Sequence, residues 1–98
     1  MVYSVRIRVE AENDLKDAYC YFEQCRTGLG ADFMLCIEES LAKISRNPQH
    51  YPVLHKSIRR TLVHRFPYGV FYQINEQTIV IFAVMHCARE PKNWNSRI

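Results

Sequence analysis

The longest apolar run in the chain, residues 79–85, contains no polar position. Side chains alternate between the two faces of a strand, so a strand of this composition is covered on both faces. One face can pack against helices of the same chain. We expect the other face to stay partly exposed until a second cover binds, which would make the free protein prone to aggregation.

Two more strands are predicted between Ile58 and Asn75, and the apolar run lies in a third that spans residues 78–87. Residues 66–69 (Phe-Pro-Tyr-Gly) are the predicted first connection, because proline fixes φ and Gly69 can adopt a positive φ. The polar residues 75–77 are the predicted second connection. The C-terminal half is therefore predicted to be a three-stranded meander.

The first residues alternate between apolar and charged positions, which predicts a half-buried strand over residues 2–9. On this strand Val5, Ile7 and Val9 would face the core, and Arg6 and Arg8 would face solvent. The tail, residues 90–98, follows the last strand.

From Glu10 the apolar spacing becomes helical and stays so up to Arg26. A second helical stripe runs from Leu29 to Ile44, and Asn47-Pro48 ends it because the residue before proline leaves the α region. A break as short as residues 28–30 favours an antiparallel helical hairpin. Residues 49–57 are predicted to be a loop.

These elements give one domain over residues 1–98, of class α+β. It has an N-terminal strand, an antiparallel helical hairpin and a three-stranded meander, in one mainly antiparallel sheet. A chain of 98 residues supports one core and no second domain.

Charge divides the chain into two halves. Residues 1–39 carry eight acids and four bases, whereas residues 40–98 carry nine Lys or Arg and two acids. Residues 40–75 contain no acid at all. This asymmetry predicts a basic face for an anionic partner, although a solvated basic surface would give the same pattern.

The four cysteines, at positions 20, 25, 36 and 87, form no Cys-x-x-Cys pair. We therefore expect no metal site and no cofactor, and we expect the thiols to be buried and reduced. Arg6 and Arg8 precede any apolar run, so no signal peptide is expected, and no run approaches the ~20 residues that span a bilayer. The expected location is the cytoplasm, without a membrane partner.

Five short motifs occur in a fixed order along nearly the whole chain. They are Asp14-Leu15-x-x-Ala18-x-x-Tyr21, Gly28-Leu29-Gly30-x-x-Phe33, Asn47-Pro48-x-x-Tyr51-Pro52, Arg59-Arg60-x-Leu62-x-x-Arg65-Phe66-Pro67-Tyr68-x-Val70-x-Tyr72, and Ala83-Val84-x-His86-x-x-Arg89-x-Pro91-x-x-Trp94. In this order and spacing they resemble the RelE/ParE superfamily of toxins from type II toxin–antitoxin systems, and the ParE branch in particular.

The resemblance implies a toxin that is neutralised by a cognate antitoxin, whose C-terminal segment wraps around it in a hetero-oligomer. ParE-type members poison DNA gyrase, whereas RelE-type members cut mRNA on the ribosome. A third possibility is an inactive member that retains only antitoxin binding. The ParE-like function, gyrase inhibition, is the prediction, and the endonuclease is its alternative.

Candidate residues for binding the target or the antitoxin lie on the basic strands and the tail. They are Arg59, Arg60, Arg65, His86, Arg89 and Trp94. A metal-independent nuclease needs a base and cations around the developing phosphorane charge, which Arg60, Arg65, His86 and Arg89 could supply. The tail lacks the tyrosine that nuclease members of the superfamily commonly carry there, so binding is favoured over cleavage. Arg59 and Arg60 must point to opposite faces, and one of them is expected to pair with Glu38 or Glu39.

Overall fold

The computed structural model describes residues 3–87, with the exception of the His55 side chain. The predictions made for Arg89 and Trp94 lie outside the described residues. Within this range the elements are β1 (Ser4–Ile7), α1 (Val9–Cys25), α2 (Leu29–Arg46), a 3₁₀ turn (Pro48–His50), β2 (Val53–His55), β3 (Ile58–Leu62), β4 (Tyr68–Asn75) and β5 (Thr78–His86).

The strands form one sheet in the order β1-β5-β4-β3-β2. β1 pairs with β5 in parallel, and the other three pairings are antiparallel. The prediction of an α+β fold with a mainly antiparallel sheet is confirmed. Helix α1 starts at Val9, so β1 is shorter than predicted. Val5 and Val9 are exposed rather than buried, and only Ile7 is half-buried.

The two helices pack on one face of the sheet and form the main core. Ala11, Leu15 and Ala18 of α1 and Phe33, Ile37 and Ile44 of α2 contact the helix-side residues of the strands, among them Val70, Tyr72, Ile79, Ile81 and Val84. Cys36 is buried within it, but Cys20, Cys25 and Cys87 are exposed, which contradicts the expectation of buried thiols. The apolar stripes therefore predicted the helical part of the core correctly, whereas the expected burial of the cysteines holds only for Cys36.

Glu23 joins the two helices of the hairpin. Both of its carboxylate oxygens accept hydrogen bonds from the Gly28 backbone N–H, at 3.1 and 3.0 Å, and Oε1 accepts another from Gly30 at 2.9 Å. These N–H groups lie at the start of α2, where no preceding turn can satisfy them. Gly28 has φ of 89°, and a Cβ on Gly30 would lie 2.8 Å from the Tyr19 carbonyl oxygen. Both glycines are therefore needed for the helices to meet so closely.

The second face of the sheet carries a smaller cluster made of strand residues alone, Ile58, Phe71, Phe82, Ala83 and Met85, all under 9% exposed. Ile79 and residues 81–85 are at most 4% exposed, and Val80 is half-buried. The expectation that residues 79–85 would stay partly uncovered is thus wrong for all of them except Val80. On the second face, Ile58 and Phe71 of the neighbouring strands pack with Phe82, Ala83 and Met85 and so contribute to their burial.

A bulge in β5 changes which residues face the helices. Phe71 pairs with Ala83 but Tyr72 pairs with Ile81, so β5 has one extra residue, Phe82, at this point. Before the bulge Ile79 and Ile81 face the helices, and after it Val84 does so. His86 lies two residues further on and therefore also faces the helices.

Two connections differ from the prediction. Residues 49–57, expected to be a loop, contain the edge strand β2, whose pairing with β3 is short. The connection between β3 and β4 spans residues 63–67, and Gly69 lies inside β4. The positive φ expected at Gly69 occurs instead at Arg65, with φ of 72°.

Candidate functional site

The four predicted site residues within residues 3–87 fall in four separate places rather than in one. Arg59 is half-buried on the helix side of β3. Its guanidinium Nη1 donates hydrogen bonds to the carbonyl oxygens of Tyr51, at 2.6 Å, and Gln49, at 3.2 Å. The predicted ion pair with Glu38 or Glu39 is therefore wrong for Arg59, because its guanidinium is bound to carbonyl oxygens of the loop instead. Glu39 instead accepts from Lys43 at 3.3 Å.

Arg60 lies on the opposite face of the sheet. It pairs with Phe71 on β4, and Phe71 belongs to the cluster on the second face. Its Cγ and Cδ lie 3.2 and 3.0 Å from where a Cβ of Gly69 would be, so the side-chain stem covers this glycine. The prediction that Arg59 and Arg60 point to opposite faces is confirmed by this register.

Arg65 lies in the connection between β3 and β4 and is exposed. Its positive φ is unusual for a residue with a side chain. No ion pair of Arg65 occurs within residues 3–87. The guanidinium is therefore presented to solvent at a turn.

His86 closes a cleft of about 240 Å³ between α1 and the end of β5. Its ring lies 5.4 Å from the ring of Tyr68, at 71°. Asp14, Asp17 and Tyr21 of α1 also line this cleft. The Asp14 carboxylate accepts a 3.0 Å hydrogen bond from the Val84 backbone N–H, just past the point where β1 ends. His86 thus shares the cleft with two acids and one tyrosine of α1 and with Tyr68 of β4, whereas Arg60 and Arg65 do not line it.

Of the four residues proposed for a nuclease site, the three that the structure describes are not brought together. Arg60 and His86 lie on opposite faces of the sheet, Arg65 lies in a turn, and Arg89 lies outside the described residues. No group of three or more potential metal ligands occurs within residues 3–87. None of the helices described there is long and apolar enough to span a membrane.

Several notable residues were not singled out by sequence reasoning. Asp14 was named only as part of a motif, although its spacing to Leu15 and Ala18 places it beside the buried stripe of α1. Tyr72 was likewise named only as part of a motif. Its hydroxyl donates a 2.6 Å hydrogen bond to the Pro48 carbonyl, and burial raises its pKa to about 12 while the nearby Arg59 lowers it.

Ser40 and Thr61 are the two buried polar residues of the described core, each 5% exposed. Helical spacing places Ser40 beside the Ile37 and Ile44 stripe, and strand alternation places Thr61 opposite Val70. Both spacings are visible in the sequence, but they predict only that the side chains of Ser40 and Thr61 are buried. Both residues line a second cleft, which is described below.

A comparison with family models finds the ParE toxin of the type II toxin–antitoxin system parDE, matched over residues 5–91. The chain belongs to the ParE toxin family. The resemblance seen in the five motifs is therefore confirmed, and the chain is a type II toxin of the ParE kind. No curated protein sequence matches the chain significantly.

Solved structures share the fold. The chromosomal ParDE system from P. aeruginosa has a TM-score of 0.77 at 15% identity, over 87% of this chain and 96% of that one. The RelBE2 toxin–antitoxin complex from Mycobacterium tuberculosis has 0.62 at 23%, over 88% and 99%. A free E. coli RelE mutant has 0.69 at 12%, over 90% and 86%. At these identities the likeness concerns the fold alone, and it includes both ParE and RelE structures.

Proposed function

We propose that this ParE-family toxin is neutralised by a cognate antitoxin that binds it directly, and that its target is DNA gyrase. The family match over residues 5–91 supports a place in a toxin–antitoxin pair. Similar folds are found in complexes of a toxin with an antitoxin, including the RelBE2 complex. We expect the toxin to exist in the cytoplasm as a stable hetero-oligomer with its antitoxin.

The observation that carries the choice of target is the separation of Arg60 from His86. Cleavage of RNA by its own 2′-OH needs a base and charge-stabilising cations within hydrogen-bond reach of one phosphate. The cleft that contains His86 is lined by neither Arg60 nor Arg65. The described residues therefore support binding rather than cleavage.

The exposed cations fit a protein or nucleic-acid partner. Lys43, Arg46, Lys56 and Arg65 are exposed and lie in a stretch without acids. A surface with one sign of charge raises the association rate with an oppositely charged partner. We propose that these residues, together with Arg60, His86, Arg89 and Trp94, provide the contacts to antitoxin and gyrase.

The test uses free toxin, separated from its antitoxin and refolded, in two parallel assays. In the first it is incubated with gyrase, ATP and relaxed plasmid. In the second it is incubated with ribosomes that carry a defined mRNA. We expect supercoiling to be lost, or protein-linked DNA breaks to accumulate, while the mRNA stays intact. Adding the cognate antitoxin should restore supercoiling.

Two variants make the comparison specific. Arg65→Glu reverses an exposed charge in the basic half, and Arg6→Glu makes the same change at an exposed arginine of β1 in the acidic half. We expect only Arg65→Glu to weaken gyrase inhibition. Site-specific mRNA cuts that disappear in His86→Ala would contradict the proposal and favour the RelE-like endonuclease. Tight antitoxin binding without activity in either assay would identify an inactive member.

A further inference from the structure

The connection between β3 and β4, residues 63–67, contains a residue in a strained backbone conformation. Arg65 has φ of 72°, a region that residues with a Cβ seldom adopt and that glycine adopts readily. Lys56 and Glu76 also have positive φ, but each is the first residue of a two-residue hairpin turn, where this conformation is common. Arg65 lies in a longer connection, so the geometry of a two-residue turn does not account for its φ.

The residues on either side of Arg65 are anchored in the core. Val63 and Phe66 are 5% and 9% exposed, and the ring of Phe66 lies 4.9 Å from the ring of Phe22 on α1. The Val63 N–H donates a 2.9 Å hydrogen bond to the Tyr68 carbonyl oxygen, and the Tyr68 N–H donates one of 2.8 Å to the Phe66 carbonyl oxygen. The surrounding contacts therefore hold a preformed turn, in which a strained residue is a candidate for function.

This turn exposes a histidine and an arginine but no large apolar side chain. His64 and Arg65 are exposed, and none of the exposed large apolar residues of the described range lies within residues 63–67. The core of a protein interface is mostly apolar and aromatic, whereas the phosphate backbone of a nucleic acid is bound through cations. The surface of the turn is therefore better suited to a nucleic acid than to the core of a protein interface.

Further cations lie beside the turn. His64, the residue before Arg65, lines a cleft of about 340 Å³ between α2 and β3. The lining of this cleft also includes Ser40, Thr61, Lys43 and Arg60. Glu39, an acid in the same lining, accepts a 3.3 Å hydrogen bond from Lys43, and residues 40–75 contain no acid. Duplex DNA carries one negative charge per about 1.7 Å of its axis, so one duplex can contact both the turn and the cleft.

We propose that the turn at Arg65 contacts the phosphate backbone of the DNA that gyrase holds. The guanidinium donates hydrogen bonds to phosphate oxygens, with a planar geometry that fits two oxygens of one phosphate. This inference rests on the proposed inhibition of gyrase and names the part of the gyrase–DNA complex that the toxin contacts. The antitoxin, which is also proposed to contact Arg65, would compete with the DNA for this residue. An acidic surface of gyrase is the alternative partner, which the test distinguishes.

The first measurement uses free toxin and a short fluorescein-labelled DNA duplex, without gyrase. Fluorescence anisotropy at several salt concentrations gives the slope of log K against log salt. Arg65→Gln should weaken binding about fivefold at low salt and reduce this slope by about one, because one phosphate contact is lost. Arg6→Gln, the matched control, removes an exposed arginine from β1 and should leave the slope unchanged.

Three further variants separate the guanidinium from the backbone. Arg65→Lys keeps the charge and should retain the slope of the unmodified toxin. Arg65→Gly relieves the backbone, so it should not lower the urea midpoint, but it should bind the duplex as weakly as Arg65→Gln. Glu76→Gly is the matched control for the backbone, because Glu76 has φ of 57° on an exposed hairpin turn, and it should retain duplex binding. Clear destabilisation in Arg65→Gly would assign the arginine a structural role and contradict the inference.

The gyrase reaction connects this contact to the proposed function. Arg65→Gln should inhibit supercoiling less than the unmodified toxin, while its affinity for gyrase measured without DNA stays unchanged. Weaker binding to gyrase without DNA would assign Arg65 to the gyrase surface and overturn the inference. If the unmodified toxin inhibits gyrase but does not bind the duplex, or if Arg65→Gln leaves the salt slope unchanged, the inference alone fails. An unmodified toxin that leaves supercoiling intact would refute the proposed function itself.

Discussion

The hydroxyl of Tyr72 on β4 donates a 2.6 Å hydrogen bond to the carbonyl oxygen of Pro48, in the turn that follows α2. Both residues are buried, and Arg59 donates to the carbonyls of Gln49 and Tyr51 in the same segment. Two neighbouring strands thus hold the segment after α2 through three carbonyl oxygens. These hydrogen bonds fix the position of the segment that connects α2 to β2.

Alkaline pH should weaken this contact and destabilise the protein. Burial raises the pKa of Tyr72 from 10.0 to about 12, so the folded state holds the phenolic proton more tightly than the unfolded state. The resulting stability is present below about pH 10 and is lost as pH rises toward about 12; two pKa units correspond to about 3 kcal/mol. Urea unfolding at a series of alkaline pH values measures the loss.

Tyr72→Phe is the control for that pH dependence. It should cost about 1–2 kcal/mol at neutral pH, because the Pro48 carbonyl loses its donor. It should also lose less stability than the unmodified protein between about pH 10 and about pH 12. Equal alkaline losses in the two proteins would show that other groups cause the effect.

Replacing Glu23 should loosen the helical hairpin. Glu23→Ala leaves the N–H groups of Gly28 and Gly30 without their acceptor, so we expect a loss of about 2 kcal/mol in the free energy of unfolding. Glu23→Gln retains an amide oxygen and should lose about half as much. Urea unfolding measures both, and Gln24→Ala, at an exposed neighbouring position, serves as the control. A loss of the same size in the control would contradict the role of the carboxylate.

Removing the Asp14 carboxylate should free one identifiable amide. In Asp14→Ala the Val84 N–H has no acceptor beyond the end of β1, and its hydrogen exchange should accelerate. The expected cost in stability is about 1–2 kcal/mol. Asn13→Ala, a change at an adjacent exposed residue, should leave both the exchange rate and the stability unchanged. Slow exchange of Val84 in Asp14→Ala would mean that another group protects it.

Reversing the charge of Arg65 should weaken antitoxin binding more than tenfold, because an exposed cation that faces an acidic partner becomes a repulsive anion. The effect should shrink in high salt, since interactions between exposed charges are screened. Titration of purified antitoxin at two salt concentrations measures it, with Arg6→Glu as the control. An unchanged dissociation constant for Arg65→Glu would remove this residue from the antitoxin interface.

The helices could be predicted closely from the sequence because their signals are local. The stripes that include Leu15, Ala18, Phe33 and Ile37 repeat at helical spacing, and Asn47-Pro48 ends the second helix where expected. The short strand β2 was missed because three residues next to a proline give no periodicity. Strand β2 forms through its pairing with β3, which is not visible in the local sequence.

The faces of β5 could not be predicted for a different reason. An unbroken apolar run gives no alternation, so the sequence carries no sign of the bulge at Phe82. Without the bulge, His86 would point to the same face as Arg60, and a joint site would be geometrically reasonable. The bulge instead directs His86 toward Tyr68 and α1. This one extra residue therefore places His86 and Arg60, which come from neighbouring motifs in the sequence, on opposite faces of the sheet.

The parallel pairing of β1 with β5 joins residues 4–7 to residues 78–81. During synthesis the first strand therefore has no sheet partner until almost the entire chain has left the ribosome, because contacts this distant in sequence cannot form earlier. The helical hairpin can assemble beforehand, but the sheet that completes its core cannot. A nascent or truncated chain that stops before β5 is thus left without the strand that joins β1 to the rest of the sheet, and it cannot complete the fold of the toxin.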